Sequence, residues 1–159
     1  MDQYSVRAIT ATVGGPSTFS LARDPGNSVL VLSSSALIQR LLLEAFFTAA
    51  NVEVELVAGS SVVRRVLPFE AGNKPAPFSP HKYRVSRLAT QQMPNGQDEH
   101  LEVFLVKGED PEKAYNVYDQ LLQQMLEGAF SHSANSPVGV LLGVEFDGND
   151  IATLRLGES

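Results

Sequence analysis

Residues 37–51 read LIQRLLLEAFFTAAN and residues 121–135 read LLQQMLEGAFSHSAN, and the likeness between these two stretches decides how the chain is built. Set without gaps, seven of the fifteen pairs are identical: Leu37/Leu121, Gln39/Gln123, Leu42/Leu126, Ala45/Ala129, Phe46/Phe130, Ala50/Ala134 and Asn51/Asn135. In both, apolar residues recur at helical spacing and a branched-residue strand run comes after. Self-similarity of this kind marks a repeated unit. The reading is a tandem duplication: a first repeat over residues 1–69, a proline-rich connection over 70–80, and a second repeat over 81–159.

Upstream of the first helix, residues 4–12 alternate as a strand, with Val6, Ala8 and Thr10 on one face and Arg7, Ile9 and Ala11 on the other. Gly14, Gly15 and Pro16 break it. Residues 18–21 make a short strand, Asp24-Pro25-Gly26-Asn27 is turn chemistry, and residues 29–32 suit a buried strand. Ser34 or Ser35 is placed to cap the helix, whose polar stripe is Arg40, Glu44, Thr48 and Asn51, so most of its surface should be buried. Val52, Val54 and Leu56 then alternate with Glu53 and Glu55, and Ala58-Gly59-Ser60-Ser61 turns the chain into residues 62–68. Pro75, Pro77 and Pro80 stiffen the connection that follows.

The second repeat opens with a strand over residues 83–90 and a polar loop over 93–97. Residues 101–106 are matched to 29–32. Asp110 as cap, Pro111 at the first helical position and Glu112 at the positive end predict a helix from there, carried on by Ala114, Tyr115, Tyr118, Leu121, Leu122, Met125, Leu126, Ala129 and Phe130. Ser136-Pro137 ends that segment, and residues 140–146 and 151–156 form a hairpin about Asp147-Gly148-Asn149-Asp150. The expected fold class is α+β: a strand-strand-helix-hairpin unit twice over, an antiparallel sheet with two long helices, and a pseudo-twofold between halves. With residues 18–21 as a strand, the first unit has the element order of an oligonucleotide/oligosaccharide-binding (OB) barrel. Units of roughly 70 residues are marginal alone, so one compact two-lobed domain with a shared core is expected.

Composition narrows the function. With 159 residues, 43% apolar and 19% charged, the chain has the balance of a soluble globular protein. It has no cysteine and no recognisable leader at its start, which points to the cytoplasm and excludes thiolate metal sites. The longest apolar run, residues 29–50, is broken by Ser33, Ser34, Ser35, Gln39, Arg40 and Glu44 and is no membrane span. Residues 1–69 hold five Arg and five acidic residues, whereas residues 81–159 hold six basic and twelve acidic ones. Neither half has the basic surplus from which nucleic-acid affinity derives, so no nucleic acid is expected as partner.

Chemistry is thinly represented. His81, His100 and His132 are scattered, and His100 with Glu102 on one strand face falls short of a metal site. The serines before the first helix are explained by capping, and no Gly-x-Ser-x-Gly elbow occurs. Gly14-Gly15-Pro16-Ser17 lacks the Lys-Ser/Thr of a phosphate loop. Glu109, Asp110 and Glu112 are explained by their place at a helix start. Neither catalysis nor a cofactor or metal is expected. Leu43 and Phe47 align with Glu127 and Ser131, so the first helix has an apolar strip that the second lacks. The leading expectation is a non-catalytic interaction or assembly module that associates with itself or another protein through Leu43 and Phe47. The alternative is a small-ligand or glycan-binding protein using the seam between repeats, with Gln39, Gln123, Tyr115 and Tyr118 as ligand contacts.

Overall fold

A computed structural model describes residues 3–15, 17–23, 27–71, 81–92, 99–133 and 140–157. In these the chain runs β1 (Gln3–Thr12), β2 (Ser17–Arg23), β3 (Asn27–Ser33), α1 (Ala36–Thr48), β4 (Ala50–Leu56) and β5 (Val63–Ala71). It continues as β6 (Tyr83–Gln92), β7 (Glu99–Lys107), β8 (Lys113–Val117), α2 (Gln120–His132), β9 (Leu141–Asp147) and β10 (Asp150–Gly157). The turn at 24–26, most of the connection over 70–80, the loop at 93–97 and Ser136-Pro137 lie outside the described residues. No helix among the described residues is long and apolar enough to cross a membrane.

The fold is α+β, and its strands curl into a barrel. β6 pairs with β7, β7 with β8, β8 runs parallel to β10 at Asn116 and Asp150, β10 pairs with β9, and β9 returns to β6 at Leu142 and Tyr83. That circuit closes five strands on themselves. In the first half β3, β2, β1, β4 and β5 are antiparallel neighbours in that order, and a parallel bridge from Leu32 to Val62 brings the ends of the row together. One seam joins the halves: β1 lies antiparallel on β10 from Ala8 opposite Gly157 to Thr12 opposite Thr153. Gly157 is required there, because its φ of +78° is left-handed and a Cβ would sit 2.1 Å from the Arg7 carbonyl oxygen.

The simple alternation expected of β1 fails at Arg7. A bulge between Val6 and Ala8 shifts the register against β2, so Ile9 and Ala11 follow Val6 into the core, at 0% and 1% exposure. β6 has a bulge between Val85 and Arg87, two residues after Tyr83, as β1 has one two residues after Tyr4. A further pair of irregularities falls at Glu55/Leu56 in the β4–β5 ladder and at Ile151/Thr153 in the β10–β9 ladder.

The second helix begins later than its sequence suggests. Residues 113–117 form β8, laddered on β7 from Lys113 opposite Leu105 to Val117 opposite Leu101, and Asp119 caps α2 by accepting from the amides of Leu121 (3.0 Å) and Leu122 (3.1 Å). Asp110 lies in the β7–β8 turn, where its amide donates to the Lys107 carbonyl. Residues 101–106 lie within β7, and β8 is the strand that runs into α2, as β3 runs into α1. At the start of α1 the Ser35 hydroxyl accepts from the Ile38 amide.

Leu42, Leu43, Ala45 and Phe46 of α1 and Leu121, Leu122, Met125, Leu126 and Ala129 of α2 are buried in one continuous cluster with the inward strand residues of both halves. The helices lie side by side. The Phe47 ring stacks on His132 at 5.0 Å and 3°, and it lies so close to Gly128 that a Cβ there would be 2.2 Å from Phe47 Cε2. A pseudo-twofold does not relate the halves. Such symmetry would require β6 to pair with β5 as β1 pairs with β10, and no such pairing occurs among the described residues. The seam is head-to-tail.

Candidate functional site

The seam leaves an open cleft of about 490 Å³ where both helices begin. Thr12 and Gly15 from the β1–β2 connection, Ser17 at the start of β2, and Leu32 and Ser33 at the end of β3 line one side. Ser34, Ala36 and Gln39 bring the first turn of α1, and Val62 comes from the β4–β5 connection. The other half supplies Asp119, Gln120 and Leu121. Strand ends and helix starts meet there because each third strand runs straight into its helix, and the β1–β10 seam sets α2 beside α1.

The lining is mostly apolar in surface, with hydroxyl and amide groups set into it and little charge. Ser17 and Ser33 are buried, the Ser33 hydroxyl accepts from the Ser35 amide at 3.2 Å, and the Thr12 and Thr153 hydroxyls lie 3.1 Å apart across the seam. Asp119 is the charged residue of the lining, and its Oδ1 already holds two amides of α2. Among the described residues, no Lys, Arg or His belongs to the lining. Leu32, Ala36, Val62 and Leu121 give it apolar surface, and Val62 is exposed. Such a site offers hydroxyl and amide hydrogen bonds beside apolar contact, and it offers no cation for an anion.

Of the residues singled out in the sequence, Gln39 alone lines the cleft. Its Nε2 donates to the Ser33 carbonyl at 2.7 Å, and Gln123 Nε2 donates to the Val117 carbonyl at 2.9 Å. Each glutamine therefore ties its helix to the end of the preceding strand, six residues back, which is reason enough for both halves to hold one. Tyr115 lies on β8, its ring stacked on Phe146 at 4.3 Å, and Tyr118 lies against His100 at 4.9 Å; neither lines the cleft. Leu43 is 5% exposed, and Phe47 is partly buried with its ring against Gly128 and His132 of α2, so the strip read as an intermolecular surface is largely buried within the chain. No group of three or more potential metal ligands occurs among the described residues. Ser17, Ser33 and Gln120 were not singled out for ligand contact. Their one signal is polarity at the end of an otherwise apolar strand or at a helix start, which capping alone explains as well.

No known family model, no curated protein and no solved structure matches this chain.

Proposed function

We propose that the chain is a tandem pair of OB-like units and works as a non-catalytic binding protein, taking an uncharged, hydroxyl-rich ligand of carbohydrate type in the seam cleft. The internal duplication is supported by element order, since three strands, a helix and two strands occur twice. It is supported also by strand neighbours, by a third strand parallel to the fifth in each half, and by bulges at corresponding places. The helix caps Ser35 and Asp119, and the latches Gln39 and Gln123, stand 84 residues apart in each case.

The observation that carries the ligand reading is where the cleft lies and what lines it. OB barrels bind oligosaccharides and oligonucleotides on the face of their second and third strands, between the first–second and fourth–fifth loops. Thr12, Gly15, Ser17, Leu32, Ser33 and Val62 occupy those places. The absence of basic groups among the described lining residues argues against an oligonucleotide, whose affinity comes largely from phosphate neutralisation. Neutral sugars need hydroxyl and amide partners with apolar surface beside them. The volume falls within the roughly 300–1,000 Å³ of ligand pockets. Association through Leu43 and Phe47 is not carried forward, because Leu43 is buried and Phe47 packs on α2.

The test is titration of the isotope-labelled chain with a panel of neutral oligosaccharides, read by amide chemical shift. A binding sugar should move Ser33, Gln39 and Gln120. Ala36→Trp, an exposed position at the mouth, should abolish the response without changing the fold. A panel that leaves those three amides unmoved at high millimolar sugar rejects the proposal.

A further inference from the structure

The head-to-tail seam uses one strand edge of each half and leaves the corresponding edges over. In the first half the edge of β1 that faces away from β2 is fully occupied, by β4 at Gln3–Ser5 and by β10 at Ala8–Thr12. In the second half the same edge of β6 is taken by β9 at Tyr83 and Arg84, and beyond them no described strand pairs with it. Aligned through their bulges, Ala8, Ile9, Thr10, Ala11 and Thr12 correspond to Arg87, Leu88, Ala89, Thr90 and Gln91. We infer that residues 87–91 of β6 form a docking edge for a lone extended peptide, which adds to the sheet as an antiparallel strand.

The seam shows the pairing that this edge accepts. The Val13 amide donates to the Ala152 carbonyl at 2.9 Å, so by antiparallel alternation Ala11 with Leu154 and Ile9 with Leu156 are the hydrogen-bonded pairs. On β6 the outward amides are then those of Leu88 and Thr90. Among the described residues no strand covers this edge, and residues 87–91 contain no proline to block it. Arg87 is drawn aside, its guanidinium 4.2 Å from the Phe104 ring centroid and paired with Glu112.

Two features separate a lone strand from a second copy of the chain. The strand that would continue the seam is β5, and there Pro68 stands where β10 has Leu156, removing the outward donor. In the seam, the strand pairing is accompanied by α2 packing on Phe47, but the matching flank of α2 is Glu127 and Ser131, both exposed. An incoming unit with its own helix would find a polar flank, whereas a bare strand leaves that flank in water. The fitting peptide is extended, with apolar residues at alternate positions opposite Leu88 and Thr90, as Leu156 and Leu154 lie opposite Ile9 and Ala11.

The probe is a synthetic peptide copying residues 150–157, DIATLRLG, the strand that occupies the equivalent edge of β1. Added to the full labelled chain, it should shift the Leu88, Ala89 and Thr90 amides, and a scrambled peptide should not. Thr90→Pro removes an outward donor while leaving the ladder to β7 intact, so it should weaken binding at least about tenfold with unchanged circular dichroism. Failure to bind, shifts confined to β1 through displacement of its own β10, or equal binding by Thr90→Pro each overturns the inference. So does concentration-dependent self-association in sedimentation velocity that Thr90→Pro abolishes, since that would make a second copy the occupant.

Discussion

Among the described glycines, Gly157 and Gly128 leave the least room for a side chain, and they differ in what can give way. A side chain at Gly157 meets main chain, the Arg7 carbonyl, in a left-handed conformation. Gly157→Ala should therefore cost about 1–2 kcal/mol of backbone strain and about 1–3 kcal/mol of overpacking. Gly128→Ala meets only the Phe47 ring, which can swing off His132, and should cost about 1–3 kcal/mol. Urea titration of both variants checks the order. His81 offers a pH dependence. Burial first, and then the Arg155 charge, hold its imidazole below the ordinary value of 6.5. The unfolded chain then binds more protons than the folded one, so this contribution is fully present above pH 6.5 and is lost as pH falls through the depressed folded value. The urea midpoint should drop on acidification through that window, and His81→Gln should flatten the drop.

At the scale of elements, the two helices show what a sequence discloses. α1 was readable from Ser35 and the period of its apolar residues, because cap and stripe are local. The start of α2 was not, since Ala114, Tyr115 and Tyr118 continue the helical period upstream of Leu121. What makes residues 113–117 a strand is the ladder to β7, a pairing that the period of their own apolar residues does not disclose. The bulge at Arg7 escaped for the same reason, as did the cleft, whose polar groups stand on strand ends and helix starts more than a hundred residues apart. The Leu43 and Phe47 strip was visible, but its partner was not. With α2 as that partner, Leu43→Glu with Phe47→Ser puts a charge against buried surface and removes the ring from Gly128. The double variant should lose at least about 4 kcal/mol, seen as a fall in both midpoint and near-ultraviolet ellipticity. Gln39→Ala and Gln123→Ala, each deleting one strand–helix latch, should cost only about 0.5–1.5 kcal/mol apiece.

For the whole molecule the seam decides whether the halves are domains or parts of one. Each half closes most of its own hydrogen bonds, yet neither closes its own surface. Residues 1–72 alone would bare the β1 edge over Ala8–Thr12 and expose Leu43 and Phe47 where α2 had lain. Residues 78–159 alone would bare the β10 edge from Thr153 to Gly157, which has β9 on its other side and meets β8 only at Asp150. Loss of cover over Leu43 and Phe47 forfeits about 3–6 kcal/mol by apolar burial alone. A domain of this size has about 5–15 kcal/mol in total, and half-length chains have less. The contact across the seam is therefore comparable to the whole stability of either half, and neither fragment should fold alone. Each separate fragment should show a broad, non-cooperative melt and poorly dispersed amide signals. Mixed in equal amounts they should recover a cooperative transition that rises with concentration, as any association-linked fold does. A sharp melt from either fragment by itself would show that the shared cluster is divisible and that the seam merely holds two finished barrels together.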